Sequence, residues 1–303
     1  MTSGPGTPGA SGPPGSMLPR DLDATLVLLR HGESEWITEG RFQGQGDSPL
    51  SALGRRQAEL AAERLAQPHR PPALPIPSGP PIAIHHSPLM RTTETATRVA
   101  AAMAGGSSYG RAPTLVPDAG FLEIGQGEWE GVPGATIAER WGSVLEGWRR
   151  DPLTAWAPGG ESLPAVDARV RASLRALLAN LGAAGEVGVD AAGGTDAAGG
   201  AHAAAVAGRR RSHVLGYAEH PTDEPWVVIV GHDGVFKITL LALLDLPLAR
   251  FWSFPFALAG ISVVEVRGGR PRLRLHNAAD HLGPLEDEAA IEREDARRRS
   301  GAL

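Results

Sequence analysis

The stretch LVLLRHGESEW, residues 26–36, sets four aliphatic residues directly against Arg30, His31 and Gly32. Apolar side chains on consecutive positions mark a strand covered on both faces. Burial explains the run, but not the cation, imidazole and glycine that end it. Similar runs recur at IAIHH (82–86) and PWVVIVGH (225–232), with a shorter one in PTLVPD (113–118). Helical patterns lie between them: LSALGRRQAELAAERLAQ (50–67) with Ser51 as cap, and SPLMRTTETATRVAAAM (87–103) with Ser87 as N-cap and Pro88 in the first turn. ATIAERWGSVLEGWRR (135–150), LPAVDARVRASLRALLANL (163–181) and GVFKITLLALL (234–244) follow. ISVVEV, Gly268-Gly269 and PRLRLHN predict a hairpin at a sheet edge. Strands alternating with helices predict an α/β sandwich with a largely parallel sheet. Ligands gather beyond the carboxyl ends of such strands. His31, the segment Ser87–Arg91, and His232 then meet on one edge.

The bulk composition narrows the partners. A net charge of −5 offers no broad basic footprint, so no nucleic acid is expected. Cysteine is absent, which excludes disulfides, thiolate metal sites and cysteine nucleophiles, and fits a cytoplasmic protein. The Gly/Pro-rich start has no apolar core of signal-peptide length, and VFKITLLALLDLPL is interrupted by Lys237 and Asp245, so no membrane span is expected. The expected organisation is a disordered tail over 1–20, one domain over 21–283 with a low-complexity insertion at 182–220, and a charged tail over 284–303. The edge hairpin offers a surface on which a homodimer could form.

Arg30 and Arg91 supply two fixed positive charges and bidentate forks that suit a phosphoryl group. Arg91 falls in the first turn of its helix, where free N–H groups also favour an anion. A histidine between them attacks phosphorus only when neutral, and neighbouring cations oppose its protonation. Gly32 allows a close backbone approach, and a carbonyl there would fix the ring tautomer.

Seven segments in order, LLRHGES (28–34), GRFQGQGDSPLSALGRRQA (40–58), SPLMRTTETA (87–96), LEIGQGEWEG (122–131), PGGES (158–162), VGHDGV (230–235) and HNAADHL (276–282), resemble the histidine phosphatase superfamily, the phosphoglycerate-mutase-like proteins. The resemblance covers roughly residues 24–282 outside the insertion. It implies a three-layer α/β/α sandwich with a mostly parallel central sheet and a small helical cap over the C-terminal strand edge. His31 would be the nucleophile that forms a phosphohistidine. Arg30, Arg91 and His232 would hold the phosphoryl oxygens, and Glu123 would act as general acid and base, with Glu128 and Glu130 as nearby rivals. Gln43, Gly44 and Ser34 would touch substrate. No metal and no cofactor are required, because arginine and histidine carry the positive charge. Glu161 supports the site or only makes a turn. Ile37 departs from the family, which places an asparagine there as a phosphoryl donor; altered selectivity or slower turnover is the expected consequence. Asp233 either orients His232 or caps the helix behind it.

Three functions fit these residues. The first is hydrolysis of a small phosphorylated metabolite, the second a mutase-type transfer back to substrate, and the third a catalytically silent phosphate- or partner-binding module. The intact Arg30, His31, Arg91, Glu123 and His232 set opposes the third. The compact segment WRRDPLTAWAPGGES (148–162) is similar to the phosphatase branch, with its α-ribazole-phosphatase-like and broad-specificity members, and favours hydrolysis. Trp141, Trp148 and Phe121 hint at an apolar leaving group. His85 and His86 are adjacent, so in a strand they face opposite ways and cannot both line one site.

Overall fold

The structure is a computed structural model that describes residues 17–105, 109–191, 224–286 and 288, without the side chains of 185–191. Six strands form one sheet in the order β3-β2-β4-β1-β5-β6. They are β1 (Ala24–Arg30), β2 (Ala83–His86), β3 (Thr114–Pro117), β4 (Trp226–Gly231), β5 (Ile261–Arg267) and β6 (Arg270–Ala278). The first four are mutually parallel, and β5 and β6 run antiparallel to their neighbours. Register pairs Arg30 with Gly231 and His86 with Val230, so β1, β2 and β4 end side by side.

The consecutive aliphatics serve two cores. Leu26 and Leu28 of β1 face one layer with Val227 and Ile229 of β4, while Val27 and Leu29 face the other with Val228 and Val230. The first layer is closed by α5 (Leu163–Ala191) and α6 (Asp233–Leu243), through Val170, Leu174 and Leu240 among others. The second is closed by α2 (Ala52–Ala66) and α3 (Met90–Ala104), through Leu65, Val99 and Met103. This is the expected three-layer sandwich. A short α1 (Glu35–Thr38) follows β1. The cap is α4 (Gly134–Arg150), which is kinked at Trp141 (φ −132°, ψ 31°) and has its own small core of Trp129, Ile137, Leu145 and Ala157. The β5–β6 hairpin turns on Gly268 and Gly269, both at positive φ (52° and 67°), the geometry that tight hairpins ask of glycine.

Some boundaries differ from expectation. Leu18 and Leu22 are buried in the first core, so packed chain begins upstream of residue 21. Helix α5 continues to Ala191, into the segment expected to be an insertion, and the rest of that segment to residue 223 lies outside the described residues, as does most of the charged tail. Ser51 caps α2 as expected, its Oγ accepting from the Gly54 N–H at 3.0 Å. Ser87 does not cap α3. The helix starts only at Met90, Leu89 is the N-cap with extended backbone, and the Met90 N–H is taken at 2.7 Å by Asp47 Oδ1 from another loop. No helix among the described residues is long and apolar enough to cross a membrane.

Candidate active site

The chain leaves β1 at Arg30 and turns at once. His31 is 2% exposed and its Nδ1 lies 2.6 Å from the Gly32 carbonyl oxygen. A carbonyl only accepts, so Nδ1 carries the hydrogen and the lone pair sits on Nε2. The close approach that glycine permits is with Gly54 at the start of α2: a Cβ on Gly32 would stand 2.2 Å from the Gly54 carbonyl oxygen. The histidine is thereby held by backbone on one side and left with a free lone pair on the other.

Arg91, fully buried in the first turn of α3, donates to the carbonyls of Gly46 and Gly44 (both 2.8 Å), and its Nε donates to His232 Nδ1 at 3.3 Å. His232, at the end of β4, therefore accepts on Nδ1 and carries its hydrogen on Nε2. That Nε2 and Arg30 Nε are buried and have no hydrogen-bond partner among the described residues. The His31 and His232 rings meet edge-on, centroids 5.0 Å apart. Two donors are thus left unspent, one on a residue of the cleft that holds His31 and one on the ring packed against it. Burial is the first cause that holds His31 well below the usual imidazole range, with Arg91 and Arg30 adding to it. His232 is depressed in the same way, by burial first, then Arg91, His31 and Arg30. Burial and the unfavourable Arg30 charge outweigh the attraction of Glu123 and Asp47 and draw Arg91 down to about 10.

These rings make stability acid-sensitive. In the unfolded chain they take protons near pH 6.5, about the free value, which the folded rings refuse. Stability is full above that pH and declines as pH falls toward 5, by at most about 1.4 kcal/mol per pH unit for each histidine. His85, His276 and His281, also depressed by burial, add in the same direction. Urea unfolding between pH 5 and 8 reads the slope; a flat profile would contradict a neutral buried pair.

Glu123 reaches the site from the loop before the cap. Its Oε1 accepts from the N–H groups of Ile124 (2.9 Å) and Val235 (3.0 Å), and Oε2 from Gly234 (3.2 Å). The carboxylate is thus seated on the N-terminus of α6, the helix that follows His232. The loop is held in turn by Arg169 of α5. This side chain donates to the carbonyls of Gly120 (2.9 Å), Leu122 (2.7 Å) and Glu123 (2.9 Å), and grips both oxygens of Glu161 at 3.0 and 2.8 Å. Glu161 Oε2 also accepts from the Gly125 N–H (2.8 Å) and Gln45 Nε2 (3.0 Å). Burial alone would raise its pKa, but these donors, Arg169 first, hold it below the usual carboxylate value. Arg169 was not singled out in the sequence, because a helix arginine seven residues past PGGES carries no local signal. It is a positioning residue. Arg169→Met is expected to lower kcat by about 10- to 100-fold, on the scale of a small misplacement of a reacting group, with KM changed far less. An equal rise in KM would instead indicate loss of binding geometry.

The structure brings Arg30, His31, Gln43, Gly44, Arg91 and Glu123 to one cleft of about 320 Å³, with His232 buried behind His31. Ser34 is not on its wall. It is buried, caps α1, and its hydroxyl donates to Gln43 Oε1 at 2.6 Å, which leaves the Gln43 amide nitrogen for the cleft. Ile37 is also off the wall: it is half-buried on α1 with its N–H taken by the Ser34 carbonyl. Of the expected rivals, Glu128 is exposed, and Glu130 Oε1 is occupied by the N–H groups of Gln45 and Gln126, both at 2.9 Å. Asp233 neither orients His232 nor caps α6; it pairs with Lys237 and accepts from the Phe256 N–H at 3.2 Å. Phe121 is wholly in the core and Trp141 packs in the cap, so only Trp148 of the three aromatics lines the cleft, joined by Trp252. His85 and His86 lie outside it.

Comparisons with known proteins point to one family. The family model described as histidine phosphatase superfamily (branch 1) matches residues 26–195 and 184–279. Phosphoserine phosphatase 1 of Hydrogenobacter thermophilus is 27% identical over 267 residues, covering 87% of this chain and 97% of that protein. Glucosyl-3-phosphoglycerate phosphatase of Mycobacterium tuberculosis is 32% identical over 228 residues, covering 75% and 78%. Among solved structures, Bacillus stearothermophilus YhfR aligns with a TM-score of 0.61 at 25% identity, over 86% of this chain and 99% of that one.

Proposed function

This chain belongs to the histidine phosphatase superfamily (branch 1) and is a phosphatase of small phosphorylated metabolites; we propose that it works through a covalent phosphohistidine on His31. One observation carries this reading: the His31 Nδ1 hydrogen is committed to the Gly32 carbonyl, so a neutral Nε2 lone pair is left at a cleft lined by Arg30 and Arg91, with the buried His232 ring edge-on to His31. In the first step Nε2 attacks phosphorus, the bond from phosphorus to the alcohol oxygen breaks, and Glu123 delivers a proton to that oxygen. In the second, Glu123 takes a proton from water as its oxygen attacks the phosphohistidine; phosphate leaves and His31 is neutral again. Negative charge on the equatorial oxygens is met by the two guanidinium groups and the His232 Nε2–H, preorganised before substrate arrives. That cationic set does the work a metal does in other phosphoryl-transfer sites. The two sequence relatives are named for phosphoserine and glucosyl-3-phosphoglycerate, both phosphomonoesters of small hydroxy acids, and the modest cleft suits a substrate of that size. The test is phosphate release in EDTA, with rapid quenching to trap a phosphoryl-enzyme that is labile to acid and stable to base. Release without such an intermediate, or abolished by EDTA, would overturn the mechanism.

A further inference from the structure

The phosphoryl machinery surrounds His31, but the cleft holds another cation that none of these steps uses. Lys237, one turn into α6, lines the same wall as Asp233, Trp148, Phe251 and Trp252. Its side chain is only 7% exposed. The ammonium stands 2.5 Å from Asp233 Oδ2, 4.9 Å from the Trp252 ring centroid and 5.3 Å from that of Phe251. Trp148 of the cap braces Trp252 edge-on, centroids 5.0 Å apart. An ammonium has three N–H donors, and Asp233 is the one oxygen acceptor it meets among the described residues. Aromatic faces attract the charge but do not accept the remaining N–H groups as an oxygen would. A cation sequestered this way with donors unspent is costly unless a ligand completes it.

Position adds direction. Glu123 sits on the N–H groups of Gly234 and Val235, at the first residues of α6. Lys237 follows one turn later on the same helix and lines the same cleft as His31 and Glu123, the cleft that the alcohol portion of an ester must share. Resting on the phosphatase reading above, we propose that Lys237 selects the leaving group by binding a carboxylate carried on the alcohol portion of the phosphoester. The carboxylate completes the ammonium that Asp233 only partly satisfies, and the aromatic wall excludes water around the pair. A purely apolar alcohol would cover Lys237 and leave its donors unpaired, so the pocket disfavours it despite the tryptophans.

The test compares 3-phosphoglycerate with glycerol 3-phosphate, which differ by a carboxylate in place of a hydroxymethyl group. The readout is the ratio of their kcat/KM values, in which losses from partial misfolding cancel. The wild-type protein is expected to prefer the acid by about tenfold or more, and Lys237→Met to cut the ratio by about 10- to 100-fold, the range of a charge-assisted hydrogen bond, chiefly through KM. Lys237→Arg should retain most of the preference. Asp233→Asn should move the ratio upward, because the amide oxygen still accepts from the Phe256 N–H while an amide nitrogen in place of Oδ2 accepts nothing from Lys237 and leaves its donors and charge to the ligand. A wild-type ratio near one, or a ratio untouched by Lys237→Met and Asp233→Asn, would overturn the role of Lys237. Release from glycerol 3-phosphate without preference for the acid overturns that role alone, whereas release from neither ester overturns the phosphatase reading and this role with it.

Discussion

His31→Ala is expected to lose phosphomonoester hydrolysis by about 10⁴-fold or more, the scale on which removal of an enzyme nucleophile is felt. The loss should fall on kcat. Arg30, Arg91 and the His232 Nε2–H remain to hold a phosphoryl group, and their supports are independent of the His31 ring: Gly44 and Gly46 carbonyls for Arg91, the Phe256 carbonyl for Arg30. Inorganic phosphate or uncleaved ester should therefore still bind to the variant within about tenfold of wild type, since only the group used in the transition state is gone. The acid-labile phosphoryl-enzyme should vanish with the activity. Steady-state kinetics, calorimetric phosphate binding and quench trapping read the three effects separately. Retained turnover would move the nucleophile elsewhere. Loss of turnover and phosphate binding together would show that the ring supports the guanidinium cluster rather than attacking phosphorus.

The sheet was legible because its code is local. Val227 to Val230 or Leu26 to Leu29 can be apolar on every position only if both faces are covered, and the structure covers both. His31, Arg91 and His232 were legible because each lies at or a few residues beyond the carboxyl end of a buried strand, where the parallel topology forces convergence. What escaped depends on contacts made across long stretches of chain. Asp47 caps α3 from 43 residues away, so Ser87 looked like the cap when only its own segment was considered. Arg169 reaches the Glu123 carbonyl across 46 residues and Glu161 across eight, and no spacing announces it. Ser34 and Ile37 were placed by homology of position alone, whereas α1 turns one into a buried cap and keeps the other off the cleft wall. The aromatic wall was half legible: Trp148 was visible on its helix, but its partner Trp252 lies in a short turn of 3-10 helix after α6, where a lone tryptophan has no pattern to betray it.

Glu123→Gln should lower kcat/KM by about 10²- to 10⁴-fold on alkyl phosphates, the usual contribution of a positioned acid or base, and kcat/KM on an aryl phosphate by much less. The difference follows from the leaving oxygen. An alkoxide must be protonated as its bond to phosphorus breaks, whereas a nitrophenolate leaves without help, so only the first step of alkyl ester cleavage needs the acid fully. The replacement keeps the oxygen that accepts from the backbone, because the carboxylate is seated by the N–H groups of Ile124, Gly234 and Val235. One of these contacts must be surrendered, since Oε2 faces the Gly234 N–H and an amide nitrogen there would set donor against donor. With the aryl ester, dephosphorylation then becomes limiting, as water loses its base. Rapid mixing should accordingly show a burst of nitrophenol equal to the enzyme concentration, followed by slow turnover, and the phosphohistidine should accumulate in the variant beyond its level in the wild type. Equal losses on alkyl and aryl esters with no burst would remove Glu123 from proton transfer and leave it a packing role at the start of α6. A burst with retained alkyl activity would give the first proton to another group and the second to Glu123.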